Sequence, residues 1–230
     1  MDPYFKKEIN ILIIDDNNAP FILSLIRSFS GYKNLNLDVL VISNEKPHLF
    51  RYSRYIRHLY YKKGNIQEQF EEGVRETIEQ SAAHLIIPTR EWISRLIAEH
   101  HHWLNDIVRI HPVSDVDTIE LTFDKWKLNQ WLKANQFPYS MALPVSKKLL
   151  DEFEPDEFPF PALLKPLEGA GGIGIKLVDD AKEMIQVLSR DENYLNGFFI
   201  QEYIQGYDID MSLFSMDGKI LFHTIQRGMM

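Results

Sequence analysis

Eleven glycines are spread over 230 residues, yet four of them, Gly169, Gly171, Gly172 and Gly174, fall within six positions. The stretch around them reads Pro161-Ala162-Leu163-Leu164-Lys165-Pro166-Leu167-Glu168-Gly169-Ala170-Gly171-Gly172-Ile173-Gly174-Ile175-Lys176-Leu177-Val178. Gly169, Gly171 and Gly174 match G-x-G-x-x-G, a spacing that in dinucleotide sites opens a helix whose N-terminus holds phosphate. Here the glycines run instead into Ile173 to Val178, an alternating, β-branched run that reads as a strand. Strand, glycine loop and strand predict a hairpin flap. Its backbone N–H groups can close on a triphosphate where side chains would clash. Lys165 stands just before the flap, and Pro166, which lacks an N–H, biases it towards an extended backbone. Protein kinases carry their phosphate-binding lysine on a strand after the loop. Lys176 keeps that second reading open, although no His-Arg-Asp or Asp-Phe-Gly follows.

Other polar clusters carry less. Asp15-Asp16-Asn17-Asn18 follows the first strand, where a dinucleotide site needs glycine. Two carboxylates there repel phosphate, so a dinucleotide site is excluded, and both acids are expected to solvate a turn. Glu99 precedes His100-His101-His102, but consecutive imidazoles point different ways round a helix and chelate one metal poorly. An exposed helix end is expected there. With no cysteine in the chain, disulfides, thiolate metal sites and a cysteine nucleophile are excluded.

The elements that must position the flap follow from periodicity. Strand runs at Ile9 to Ile14, Asp38 to Ser43, His84 to Pro88 and Asp106 to Ile110 alternate with helical patterns. Those helices span Ala19 to Phe29, Ile66 to Gln80 and Arg90 to His100. Short apolar strands alternating with helices predict a parallel sheet covered on both faces, a Rossmann-like α/β unit. His111-Pro112 and the polar Ser114 to Thr118 mark a boundary. A helix from Asp124 to Asn135 follows, then a looser stretch holding Pro138, Pro144, Pro155, Pro159 and Pro161. Past the flap come a helix at Ala181 to Ser189 and strands at Phe198 to Tyr203, Asp208 to Ser215 and Lys219 to Ile225. Asp217-Gly218 is the hairpin signal joining the last two.

Leu164-Lys165-Pro166 with the glycine run resembles the lysine and flexible loop of the ATP-grasp superfamily. Phe123-Asp124-Lys125, opening its helix, is similar to that family's entry helix. Ile200-Gln201-Glu202-Tyr203-Ile204-Gln205-Gly206-Tyr207-Asp208 resembles its adenine hinge and ribose-binding acid. The resemblance is closest to carbamoyl-phosphate-synthase-like members. It implies three regions: a Rossmann-like domain at 1–113, the entry helix and glycine-flap lid at 114–199, and the hinge with the first core strands at 200–230. It implies ATP held by Lys125, Lys165, Gly169, Gly171, Gly172, Gly174, Gln201, Glu202, Tyr203, Ile204 and Asp208. Lys165 would face the phosphates, the backbone of Gln201 to Ile204 would read adenine, and Asp208 would take the ribose hydroxyls. Asp210 shares Asp208's face and is expected to be solvent surface.

The implied activity is ligation: a carboxylate or bicarbonate is activated as an acyl phosphate, which an amine or similar nucleophile attacks. Mg²⁺ would bridge the phosphates, held by acids and an asparagine expected beyond residue 230. By that reading the chain stops before the ATP-grasp domain ends and binds nucleotide weakly without turnover. A non-catalytic nucleotide-binding module is the alternative. The net charge of −8 argues against nucleic acid as a partner. The local basic stretch of Arg51, Arg54, Arg57, Lys62 and Lys63, interleaved with tyrosines, reads as a strand and loop with one basic face. No run is long enough to span a membrane, no export signal opens the chain, and a cytoplasmic protein is expected. Unfinished sheet edges would allow a homo-oligomer.

Overall fold

A computed structural model of the chain describes residues 7–17, 22–47, 50–153, 158–169, 171–191 and 194–228. The chain divides into two units, Met1–Ile119 and Glu120–Met230. The first unit strings together β1 (Ile9–Asp15), α1 (Ile22–Ser28), β2 (Leu35–Ser43), β3 (His58–Lys63) and α2 (Ile66–Ser81). It continues with β4 (Leu85–Pro88), α3 (Glu91–Glu99), α4 (His101–Ile107) and β5 (Arg109–Ile110). Its five strands make one parallel sheet in the order β3-β2-β1-β4-β5.

Side chains alternate across this sheet, and both faces are covered. Leu12, Ile14, Leu40 and Ile42 pack with Phe70 and Val74 of α2, Ile93 and Ile97 of α3, and Trp103 of α4. Ile11, Ile13, Val39 and Val41 face the other way, onto Ile22 and Ile26 of α1 and onto Phe50. Burial on both sides is why these strands read as unbroken apolar runs. Each such side chain contributes about 1.5–3 kcal/mol.

An ion pair with a buried carboxylate lies inside this unit. Asp38 on β2 is wholly buried. Arg57 Nε donates to its Oδ1 at 3.1 Å, a terminal nitrogen of the same guanidinium pairs with Oδ2, and the His58 N–H donates at 3.2 Å. The remaining Arg57 donors reach Asn10 Oδ1 at 3.1 Å and the Ser81 carbonyl at 3.0 Å. That fork ties β1, β2, the entry to β3 and the end of α2 together.

Several boundaries differ from the sequence reading. The strand expected at Asp106 to Ile110 shrinks to Arg109–Ile110, because α4 continues through Ile107 to bury Trp103 and Leu104. His100 is not a plain exposed helix end. It lies between α3 and α4, stacks on Phe70 with ring centroids 5.2 Å apart, and its Nδ1 accepts from Trp103 Nε1 at 3.0 Å; His101 and His102 are exposed. Of the helix expected at Ala19 to Phe29, Ile22–Ser28 is helical and residues 19–21 lie outside the described residues.

α5 (Val116–Phe123) spans the division between the units, where the sequence suggested only a polar boundary. The second unit then holds α6 (Lys125–Ala134), β6 (Ala142–Pro144), α7 (Lys147–Glu152), β7 (Ala162–Pro166) and β8 (Lys176–Val178). After these come α8 (Ala181–Leu188), α9 (Tyr194–Gly197), β9 (Phe198–Glu202), β10 (Ile209–Met216) and β11 (Lys219–Arg227). The proline-rich stretch therefore contains a strand and a helix, each too short for periodicity to show. Ser146 starts α7 by accepting from the Leu149 N–H at 3.1 Å.

β6-β9-β7-β8 form an antiparallel sheet. One face of it packs Ala162, Leu164, Val178 and Ile200 against Met184 and Leu188 of α8. β10 and β11 form a separate hairpin, turned by Asp217 and Gly218 at φ 51° and 73° as a two-residue Asp-Gly turn requires. No helix among the described residues is long and apolar enough to cross a membrane.

Candidate functional site

β7 and β8 pair from Ala162↔Val178 to Leu164↔Lys176, and the glycine loop joins them. Gly169, Gly171, Gly172 and Gly174 have φ of 101°, 69°, 75° and 78°, a region that side-chain-bearing residues rarely adopt. A Cβ at Gly169, Gly171 or Gly172 would meet nothing within 4 Å. The backbone conformation, not crowding, demands glycine at these three positions. The strand after the loop begins at Lys176 rather than Ile173, because residues 171–174 form turns.

Two lysines meet at the base of the loop. Asp124 caps α6 by accepting from the N–H groups of Trp126 and Lys127, both at 2.9 Å, which sets Lys125 at the first helical position. The Lys125 N–H donates to the Leu167 carbonyl at 3.1 Å. Its Nζ donates to Leu167 O at 3.3 Å and to Gly169 O at 2.7 Å. Lys165, on β7, donates from Nζ to Gln201 Oε1 at 2.9 Å, 6.0 Å from the Phe199 ring centroid. Burial, and then the nearby charge of Lys125, lower the pKa of Lys165. Every acceptor these two ammonium groups reach among the described residues is a neutral oxygen.

The Gln201 amide has only one workable orientation. An ammonium has donors and no acceptor, so the amide must turn its oxygen to Lys165. Its nitrogen then donates to Ser140 Oγ. The buried Asn129 of α6 holds Ser140 in turn, donating to its carbonyl at 2.9 Å. Sequence reasoning missed Ser140 and Asn129, since neither belongs to a pattern of spacing or type.

Glu202 faces away from Lys165, as alternation along β9 requires. Its carboxylate accepts from the Met141 N–H at 2.8 Å, and its own N–H donates to Met141 O at 2.9 Å, extending the β6–β9 ladder. The Tyr203 N–H donates to Pro161 O at 3.1 Å. Ile204 follows the end of β9 and is 70% exposed. Asp208 is exposed, and its carbonyl accepts from the Gly228 N–H at 3.1 Å.

Lys165, Gly172, Gln201, Glu202, Tyr203, Ile204 and Asp208 line one cleft of about 610 Å³, together with Leu163 and Tyr207. Lys125 lines an adjoining cleft of about 420 Å³ that shares Lys165, Gln201 and Ile204. Gly169, Gly171 and Gly174 belong to the loop but not to either wall. Tyr207, unassigned from sequence, carries the Arg227 guanidinium 4.0 Å from its ring centroid.

Asp15 was expected to solvate a turn, and the structure corrects this. Its carboxyl is fully buried and accepts from Thr89 Oγ1 at 2.7 Å and from the Asn17 N–H at 2.7 Å. Burial pushes its pKa up, against the pull of the Thr89 bond. Asp16 lies 3.6 Å from Arg90 Nε.

Residues 122–230 match the family model described as ATP-grasp domain. The chain carries an ATP-grasp domain. The matched span takes in Lys125, the glycine loop, Lys165 and the whole run from Gln201 to Asp208. D-alanine–D-alanine ligase of Bacillus anthracis is 37% identical over 68 residues, 30% of this chain and 22% of that protein. Two solved structures share the fold. L-amino acid ligase from Bacillus licheniformis, 20% identical, superposes with a TM-score of 0.62 over 94% of this chain and 51% of its own. N5-carboxyaminoimidazole synthetase from Staphylococcus aureus, complexed with ADP, is 16% identical, with a TM-score of 0.66 over 98% of this chain and 56% of its own. The chain thus spans about half the length of those two solved neighbours.

Proposed function

We propose that the cleft of the second unit binds ATP, as the nucleotide-holding part of a ligase. That ligase activates a carboxylate or bicarbonate as an acyl phosphate for attack by an amine or similar nucleophile. One observation carries this reading. Lys125 and Lys165 converge at the root of a glycine loop, with only neutral oxygens for acceptors. Like charges placed together without a carboxylate are costly, and a polyphosphate relieves that cost. Lys165 and Lys125 would hold the phosphates, with the loop N–H groups above them. The edge of β9 from Gln201 to Ile204 would lie along adenine, and Asp208 would take the ribose. Glu202 enters through its backbone, since its carboxylate already serves Met141.

The ADP held by the Staphylococcus aureus neighbour and the amino-acid ligases among the relatives support the substrate class. The closer kinship to carbamoyl-phosphate synthases rests on the sequence resemblance of the entry helix, the lysine with its glycine loop, and the run from Ile200 to Asp208. Among the described residues no group of three or more His, Asp or Glu is placed to hold a metal ion, so none is assigned to magnesium. A cytoplasmic setting, and self-association through the open edges of β8 and β11, belong to the same proposal.

Thermal melting with and without Mg-ATP tests it. The melting temperature is expected to rise with nucleotide in the native chain and to stay put in Lys165→Ala. No rise in the native chain, or an equal rise in the variant, would remove the site.

A further inference from the structure

The first unit holds a second cluster of uncompensated cations. Ion pairs in that unit engage Arg57, Lys62, Arg75, Arg90 and Arg95. Arg27, Arg51 and Arg54 enter none among the described residues, in a chain of net charge −8. Arg51 and Arg54 meet aromatic rings instead. The Arg54 guanidinium lies 5.0 Å from the Tyr55 ring centroid and donates to its hydroxyl at 2.9 Å. Arg51 lies 5.5 Å from the centroid of Tyr52, a ring that is 84% exposed. The hydrogen bond and charge of Arg54, and then the charge of Arg27, lower the Tyr55 pKa. Arg27, Arg54, Tyr52, Tyr55, Ser53 and Leu23 line a cavity of about 350 Å³.

Arg27 lies in the last turn of α1, where the helix dipole favours a cation. That accounts for Arg27, but not for Arg54 lining the same cavity. Guanidinium groups resting on tyrosine rings keep their planar forks fixed, and such forks suit an oxyanion. The hydroxyls of Tyr55 and Ser53 add donors at shorter reach. The rings of Tyr52 and Tyr55 offer apolar surface beside those donors. The volume falls at the small end for metabolite sites.

We propose that this cavity binds a small phosphate monoester, its dianion between Arg27 and Arg54 and its organic part against Tyr52 and Tyr55. The site would be separate from the nucleotide cleft and does not depend on the reading given to that cleft.

Calorimetric titration of the full chain with phenyl phosphate tests the proposal, using Lys165→Ala so that the cleft of the second unit contributes little. Saturable binding is expected, weakened about tenfold or more by Arg54→Ala and by Arg27→Ala, and partly kept in Arg54→Lys. Arg27 and Arg54 are exposed, so both variants should melt with the parent. Benzoate should bind at least about tenfold more weakly than phenyl phosphate, because a monoanion uses fewer of the donors. Three results would each overturn the proposal: no saturable binding by the parent, equal binding by the Arg27→Ala, Arg54→Ala double variant, or benzoate binding as tightly as phenyl phosphate. A fourth would be a single-stranded oligonucleotide that binds more tightly than phenyl phosphate through Arg54, with steep salt dependence.

Discussion

Asp38 with Arg57, and Lys125 with Lys165, are two concentrations of charge built on opposite rules. In the parallel sheet the buried carboxylate receives a guanidinium fork and a backbone N–H, and the remaining guanidinium donors find oxygens of Asn10 and Ser81. Nothing there is left for a ligand. In the antiparallel sheet two ammonium groups stand near one another with carbonyl and amide oxygens as acceptors, beside open space. A charge that is matched holds a fold together. A charge that is satisfied but unmatched stays available for a ligand of the opposite sign.

Breaking the matched pair should have the largest effect. Arg57→Ala leaves Asp38 buried without its cation, and the expected loss is about 3–5 kcal/mol of stability in urea unfolding. Full retention of stability would mean that Asp38 is not closed off as the structure shows it. The same substitution should leave any nucleotide-dependent melting shift of the remaining folded protein unchanged, because the pair touches none of the cleft residues.

The unmatched pair should show itself through pH, with a smaller effect on binding. Burial and Lys125 hold Lys165 below the ordinary lysine pKa. A phosphate beside it favours the charged form, so binding takes up a proton wherever the free protein has lost one. ATP affinity should therefore fall as pH rises through the lowered pKa of Lys165, by up to about tenfold per pH unit above it. Stability without ligand should move the opposite way. The unfolded chain binds this proton more tightly, so the lysine's unfavourable contribution fades as pH climbs towards the unfolded value. Binding isotherms across the alkaline range check the first sign. In Lys165→Met the pH dependence of affinity should flatten, and an unchanged slope would assign the proton elsewhere.

The smallest effect concerns Asp15, which lies between the two cases: buried, hydrogen-bonded by Thr89, and raised in pKa. Thr89→Ala should cost about 1–2 kcal/mol at neutral pH, where the carboxylate loses a charge-assisted bond. The cost should shrink in acid as the raised pKa is crossed and the carboxyl becomes neutral. The burial of the charged form sets the sign: stability tied to this group is greater below the folded pKa than above it. Urea unfolding of the native chain and the variant at both pH values reads the difference. An equal cost at both would mean that Asp15 stays in one charge state throughout.

Legibility followed the range over which each feature is decided. The runs Ile9 to Ile14 and Asp38 to Ser43 mark strands because burial on both faces writes itself into consecutive residues. The same run of types holds Asp38, yet nothing local reveals that it is sealed from water. Its partner Arg57 lies 19 residues away, in a stretch that reads as a basic surface. The glycine flap was visible because positive φ restricts residue type at each position. The extent of strand β8 was not, since Ile173 and Ile175 suit a strand by type while the turns of residues 171–174 postpone pairing to Lys176. Short elements such as β6 and α7 hold too few residues to show a period, and only their place in the packed unit identifies them.

By itself, then, the amino-acid order determined the local grammar: the parallel α/β opening, the glycine hairpin, the lysine before it and the strand from Phe198 after it. These are choices that backbone conformation and side-chain alternation impose residue by residue. Tertiary structure alone decided which groups meet. It turned Gln201 to Lys165 and Glu202 to Met141, fastened Lys125 to the carbonyls of Leu167 and Gly169, and buried Asp15 beside Thr89. The physical reason is that a hydrogen bond or a charge pair depends on distances between residues far apart in sequence, which spacing along one segment cannot encode.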